Sequence, residues 1–379
     1  MSLRKKIVFS LLATGLFLIV LEILLNTFGD FPATRVLCYD TILGDVYCPN
    51  TEGRLHKDID KYIKVNSDGL VDKDYPVERV PGTLRIAVLG DSFAAAEEIA
   101  PGKKFHDLWE KRLPGLLGRP VEVLNFGVRG KGTVQELQMF HLKAARYKPD
   151  LTVLAFFWGN DVENNLGELK NGQLNPLLDE YPVDSTWEKF SLMRRNFNKW
   201  LWNHFALYQF TRDHYNKLEQ RVKGYFRARL LRAAATPPTG AAAPRPAWLK
   251  TVNFDTVRED TASIFDDRFF FDSEGWQLTR KLILRLRDEV RDNGGKFVVV
   301  HFLGLNDYKL KRPLPLKEFD AFLTREKIHH IDLFEKFGKM NEKELTENFI
   351  PGDFHFNAAG HANFARFTID LLARELSRS

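Results

Sequence analysis

The sequence predicts an α/β protein: a parallel β-sheet covered on both faces by helices, preceded by an apolar N-terminal helix. Three observations carry this. Short, near-continuous apolar runs recur at 84–90 (LRIAVLG), 121–125 (VEVLN), 151–157 (LTVLAFF), 296–302 (KFVVVHF) and 329–333 (HHIDL). Such runs, separated by helical stretches, are how strands buried on both faces read in sequence. A separate apolar run near the start of the sequence approaches the length of a membrane span.

Composition narrows the classes further. The 379 residues are 44% hydrophobic and 28% charged, which excludes a disordered, collagen-like or polytopic membrane protein. The net charge of +5 is too mild to argue for nucleic-acid binding. Two cysteines are too few for a zinc ribbon or a disulfide scaffold. Thirty-one phenylalanines predict an aromatic-rich core.

Residues 1–29 are read as a transmembrane anchor or a signal. Arg4, Lys5 and Lys6 precede the apolar run Ile7–Leu21, Glu22 interrupts it, and Ile23–Leu25 resume. Ile7 to Phe28 spans a bilayer only if Glu22 lies near the interface. The basic flank predicts a cytoplasmic N-terminus with the rest of the chain outside. A cleaved signal peptide is the rival reading, although no A-x-A site follows the run closely. Packing of the helix on the body is a third. Just beyond stand Cys38 and Cys48, which form a short-loop disulfide if that side is oxidising and are otherwise two thiols.

Residues 30–83 are rich in turn formers and read as an extension packed on the main domain, which occupies 84–379. Helices are expected at Lys103–Leu113, Thr133–Tyr147, Gly275–Asp292 and Ala359–Leu376. About 140 residues separate the third and fourth strands, too many for one crossover, so 162–272 is read as a large helical insertion. It carries Trp200, Trp202, Phe205, Tyr208 and Phe210, then seven Lys/Arg against two acids from Arg212 to Arg232. The aromatics are read as packing within the insertion, with a lid or bilayer contact as alternatives. The basic stretch reads as a solvated helix face or a site for anionic headgroups or an acidic glycan. Ala233–Pro246 reads as an exposed loop.

Four motifs follow strand ends, where ligands sit in open α/β sheets. Gly90-Asp91-Ser92-Phe93 puts a serine at a helix start with backbone N–H groups nearby. Alone, it is equally a helix N-cap. Asn125-Phe126-Gly127-Val128-Arg129-Gly130 offers glycines whose N–H can approach a ligand; alone, it is a turn. Trp158-Gly159-Asn160-Asp161 offers a side-chain amide donor; alone, it is a cap. Asp353-Phe354-His355-Phe356-Asn357 pairs a histidine with a carboxylate before the last helix.

Taken in order, these four blocks resemble the SGNH (GDSL-type) hydrolase family: GDSF at 90–93, NFGVRG at 125–130, GND at 159–161 and DFHFNAAGH at 353–361. The resemblance covers 84–379 apart from the insertion. The extension, with VNSDGL at 65–70, looks like that of membrane-anchored bacterial members. The resemblance implies the flavodoxin-like three-layer SGNH hydrolase fold and a serine esterase acting on acyl or acetyl esters of a carbohydrate or lipid. It implies Ser92 as nucleophile, His355 as base and Asp353 as its orienting acid. Ser92 N–H, Gly130 N–H and the Asn160 amide would form the oxyanion hole, with Gly127 as the other candidate donor. Many members carry the acid three residues before the histidine, where this chain has Gly352. The D-x-H spacing of Asp353 occurs in branches that include O-acetyltransferase-like members.

The alternatives are an O-acyltransferase modifying an envelope polysaccharide and a non-catalytic binding or assembly protein on the same fold. No cofactor, metal or nucleic acid is expected. A metal site from Asp353, His355 and His361 is the weaker reading of those residues. His301, at a strand end, reads as a structural histidine sooner than a site residue. His329 and His330 point to opposite faces of a strand and do not share one metal.

Overall fold

The computed structural model describes residues 2–28, 36–40, 42–54, 62–170, 271–310 and 314–377, with 197–198, 201, 205–212, 214–215 and 218. The described residues group into two compact units. One lies within Met1–Phe31 and His204–Asp266, the other within Pro32–Asn203 and Asp267–Ser379.

The first unit holds helix α1 (Leu3–Phe28). Its 22-residue stretch Arg4–Leu25 has mean hydropathy 2.6 and its most apolar window holds no buried residue, so length and composition suit a membrane span. Glu22 is the only acid in α1. Its carboxylate accepts the N–H groups of Ala206 at 2.7 Å and Leu207 at 2.9 Å, where the helical residues 206–212 begin. Those first-turn N–H groups lack intrahelical partners, so the acid has a defined role inside an otherwise apolar helix.

The second unit begins with two small hairpins. Strand β1 (Leu37–Asp40) pairs antiparallel with β2 (Gly44–Tyr47), and β3 (Glu52–Arg54) with β4 (Tyr62–Lys64). Cys38 and Cys48 form a disulfide across the first, with Cα atoms 5.0 Å apart.

The five expected strands follow: β5 (Leu84–Gly90), β6 (Val121–Asn125), β7 (Leu151–Phe157), β8 (Lys296–Phe302) and β9 (His329–Asp332). All pair in parallel, in the order β6-β5-β7-β8-β9. This is the flavodoxin-like order expected. The chain leaves β5 toward β6 on one side and returns to β7 on the other. A switch point therefore opens beyond the carboxyl end of β5. Every residue of β5 and of β7 is buried, as strands covered on both faces require. The aromatic core is also as expected, with Phe93, Phe156, Phe302, Phe319, Phe356, Phe364 and the indoles of Trp109, Trp158 and Trp276 buried together.

Residues 62–83 cover the edge strand β6. Asp72 Oδ2 accepts the Asn125 N–H at 2.8 Å, and the Tyr75 hydroxyl donates to the Val123 carbonyl at 2.8 Å. Arg79 pairs with Asp150 and the buried Arg85 with Glu122, each at 2.7 Å. A covered edge cannot pair with another chain.

Helix ends differ from the expected ones for local reasons. The first crossover helix runs Phe105–Leu117 and continues through Pro114, ending at Gly118 with φ 65. The second is α-helical over Thr133–Met139 only. It then widens to a π turn at Phe140–Ala144 and tightens to 3₁₀ at Ala145–Tyr147. Helices Glu274–Asp292 and Ala358–Ser377 lie within one residue of expectation. Of the insertion, Asp161–Lys170 is helical, while Trp200, Trp202 and Ala233–Pro246 lie outside the described residues.

Candidate active site

Ser92 is the second residue after β5, at the switch point, and opens the short helix Ser92–Ala95. Asp91 caps that helix, its Oδ1 accepting the Phe93 N–H at 2.9 Å. The helix closes at Ala96 in the left-handed region, φ 48. Strand, cap and one-turn helix fix the serine where the fold places ligands.

His355 reaches it from the other end of the chain. Phe349 and Phe356 form an antiparallel bridge, and the Ile350 N–H donates to the His355 carbonyl at 2.9 Å. Between them Gly352 takes φ 78, a backbone conformation that favours glycine. The turn therefore claims the position where many relatives would carry the acid, and the carboxylate falls to Asp353. One oxygen of Asp353 accepts the His355 backbone N–H at 3.0 Å and lies 2.7 Å from His355 Nδ1. With Nδ1–H donating to the Asp353 carboxylate, Nε2 is the acceptor for the Ser92 hydroxyl, 2.8 Å away. Ser92, His355 and Asp353 thus stand in one hydrogen-bonded line.

The two glycines of the second motif have different surroundings. A Cβ on Gly127 would stand 2.5 Å from the Ala95 backbone nitrogen and 2.6 Å from the Ala94 Cβ. Gly127 is therefore required for packing against the serine helix. Gly130 has φ 65, nothing within 4 Å of a built Cβ, and no described hydrogen bond to its N–H. The Asn160 side chain lies close enough to the Asp91 carboxyl to favour its charged form, against the burial that raises it.

Electrostatics at the site divide in two. Partial burial works to raise the Asp353 carboxyl, but the backbone N–H, charge and ring of His355 outweigh it and hold it below its ordinary value. The opposite holds beneath the serine. Burial pushes Asp91 up to about 6, against the Phe93 N–H and the His355 charge. Burial and then the neighbouring carboxyls raise Glu136 and Asp161 well above the ordinary range. Among the described residues, both Glu136 oxygens and Asp161 Oδ1 are buried without a hydrogen-bond partner. Nothing in the sequence marked Glu136, which lies in a helix with an ordinary polar pattern. Its seven residues, Thr133–Met139, are all buried.

Aromatic rings wall the histidine. Phe93 and Phe354 lie 4.9 and 4.2 Å from the His355 ring, and Phe157 packs 4.4 Å from Phe93. Phe354 is half-exposed.

The other histidines stand apart. His361 is buried, its Nδ1 accepting the Phe105 N–H at 3.3 Å and its ring stacked on Phe105, so it does not converge with Asp353 and His355 on a metal. His301 is fully buried between the Trp158 indole N–H at 3.3 Å and Asp320 at 2.9 Å, the structural role expected of it. Asp332 brings a third potential ligand to His301 and Asp320, but both imidazole nitrogens are already in hydrogen bonds.

A switch-point serine bonded to a histidine and an acid is the arrangement of a serine-hydrolase class of α/β protein. The family model for GDSL-like lipase/acylhydrolases matches residues 86–367, and the chain belongs to that family. It is a hydrolase of the acylhydrolase or esterase kind. Among solved structures it resembles TesA (13% identity, 77% of this chain and 99% of that one, TM-score 0.39). It also resembles a lipase/acylhydrolase from Enterococcus faecalis (13%, 76% and 95%, 0.39). A third is the lipase Lip_vut3 from a goat rumen metagenome (13%, 76% and 97%, 0.37). No curated protein matches the chain.

Proposed function

We propose that the protein is a membrane-anchored serine esterase that acts outside the cytoplasm on acyl esters of a carbohydrate or lipid. The observation that carries this reading is the hydrogen-bonded line from Asp353 through His355 to Ser92. In the proposed reaction His355 Nε2 takes the Ser92 proton as Oγ attacks the ester carbonyl. The N–H groups of Ser92 and Gly130 and the Asn160 amide hold the tetrahedral oxyanion. His355 then gives its proton to the departing alcohol, leaving an acyl-enzyme. Water, deprotonated by the same histidine, releases the acid and restores Ser92. The reaction so written uses no metal or organic cofactor.

The exposed apolar stretch of α1 supports the anchor, and the Cys38–Cys48 disulfide supports an oxidising compartment for the second unit. A second reading keeps the acyl-enzyme and replaces water by a sugar hydroxyl. The D-x-H spacing of Asp353 and His355, which O-acetyltransferase-like branches share, favours it. So does the half-exposed Phe354 ring beside His355, an apolar platform for a sugar face.

The test is covalent labelling by a fluorophosphonate, with p-nitrophenyl acetate and butyrate hydrolysis, in wild type and Ser92→Ala. Labelling and turnover that both vanish in the variant are expected. Product analysis with and without a sugar acceptor separates hydrolysis from transfer.

A further inference from the structure

The Arg129–Lys131 loop, which carries Gly130, is tied down from outside the four motifs. The tie comes from the disulfide-closed hairpin near residue 40. Tyr47, the last residue of β2, is fully buried. Its hydroxyl donates to Glu97 and accepts the Arg129 N–H at 3.4 Å. Glu97 in turn stands just past the serine helix, its Oε2 3.5 Å from Arg129 Nη1 and within electrostatic reach of His355. Two residues on from Arg129, Lys131 Nζ donates to the Leu43 carbonyl at 2.6 Å, in the turn between β1 and β2. The loop is also held at its start, where the Val128 N–H donates to the Gly90 carbonyl at 3.1 Å. The Lys131 carbonyl accepts from Asn164 at 3.3 Å. Gly130 sits between these ties with its own N–H unengaged by any described hydrogen bond.

From this geometry we infer that Tyr47 is a positioning residue for the reaction. It fixes the Arg129–Lys131 loop so that the Gly130 N–H meets the developing oxyanion, with Glu97 and the Lys131–Leu43 contact as its supports. The inference rests on Gly130 acting as an oxyanion donor in the proposed esterase. Its physical basis is that an oxyanion donor contributes only when held in place before charge develops, since a donor that must reorganise loses that advantage. A glycine with positive φ on an exposed loop does not hold itself; buried partners on both sides do. The tyrosine hydroxyl suits the task because it donates to a buried carboxylate and accepts a backbone N–H at once. The hairpin that carries it is closed by Cys38–Cys48, which ties the loop's geometry to that disulfide.

The test uses the full-length protein in detergent, wild type and Tyr47→Phe, with p-nitrophenyl acetate as substrate. Active sites are counted by fluorophosphonate titration, so that a partly unfolded preparation does not count as a slow one. The expected result is kcat per titrated site reduced about tenfold, with KM within about twofold, because the ring and pocket remain while the donor is displaced. Lys131→Met, which removes the second tie and leaves Tyr47 intact, is expected to lower kcat per site in the same direction. Unchanged kcat per site in both variants, with an active and labelled wild type, overturns the positioning role and leaves the esterase reading standing. A folded wild type that neither labels nor turns over overturns the esterase reading itself, and this inference with it.

Discussion

A single oxygen of Asp353 lies 3.0 Å from the backbone nitrogen of His355 and 2.7 Å from its ring Nδ1. The two contacts fix both the main chain and the ring of the same residue. This geometry makes a D-x-H spacing workable: the carboxylate folds back over one intervening residue, and Gly352 supplies the turn before it.

Asp353→Asn keeps the side-chain volume and removes the charge that selects the Nδ1–H tautomer. In the proposed mechanism kcat for p-nitrophenyl acetate falls by about 10⁴-fold, as expected for a dyad that presents the wrong tautomer to its serine. Thermal denaturation is expected to stay close to wild type. A loss of ten-fold or less would show that Asp353 does not orient the base.

Glu136 tests the carboxyl group beneath the serine. A buried acid whose folded pKa lies above its unfolded one contributes stability that is full below about pH 4 and is lost as pH rises through the folded value. Glu136 is raised well above the ordinary range by burial, and among the described residues no hydrogen bond holds its oxygens. Glu136→Gln is therefore expected to stabilise the protein relative to wild type, by an amount that grows from pH 5 to pH 8. Urea midpoints across that range read it. A variant that is destabilised equally at every pH contradicts the assignment.

The two glycines of the second motif are expected to respond in different ways to alanine. At Gly127 a methyl group meets backbone at 2.5 Å, so Gly127→Ala is expected to cost about 1–3 kcal/mol or more of stability. At Gly130 there is space and only the positive φ to oppose it, at about 1–2 kcal/mol. Chemical denaturation of both variants gives the comparison, and the reverse order would be inconsistent with these surroundings.

The proposed anchor predicts that the full-length protein stays with the membrane after an alkaline carbonate wash and that deletion of residues 2–28 releases it. A thiol reagent applied without reductant is expected to leave Cys38 and Cys48 unlabelled. Release of the full-length protein by carbonate would contradict the span.

Much of this was legible before the fold was known because parallel strands buried on both faces leave a plain trace. The runs at Leu84–Gly90 and Leu151–Phe157 became strands with those same bounds. The motifs that carry Ser92, Asp353 and His355 were visible as short blocks, and the structure brings the three side chains together: Ser92 opens a helix after β5, while Asp353 and His355 lie in the turn before the last helix. Gly130 was preferred to Gly127 on the family pattern alone; what a side chain at each would strike was not visible in the spacing. The burial and contacts of Tyr47, Glu97 and Glu136 left no trace at all. Their partners lie in other elements: Tyr47 is 50 residues from Glu97 and 82 from Arg129. Burial of Glu136 comes from packing of its helix against Asp161–Lys170 and Glu274–Asp292, which its local sequence does not show. Helix ends shifted where Pro114 was tolerated and where a π turn replaced α-helix at Phe140.

The most direct test of the whole account is fluorophosphonate labelling of the folded wild-type protein beside Ser92→Ala, followed by mapping of the modified peptide. The account predicts one label per chain, on Ser92, with ester turnover lost in parallel in the variant. Labelling that persists in Ser92→Ala, or a folded wild type that takes no label and turns over no ester, would contradict it.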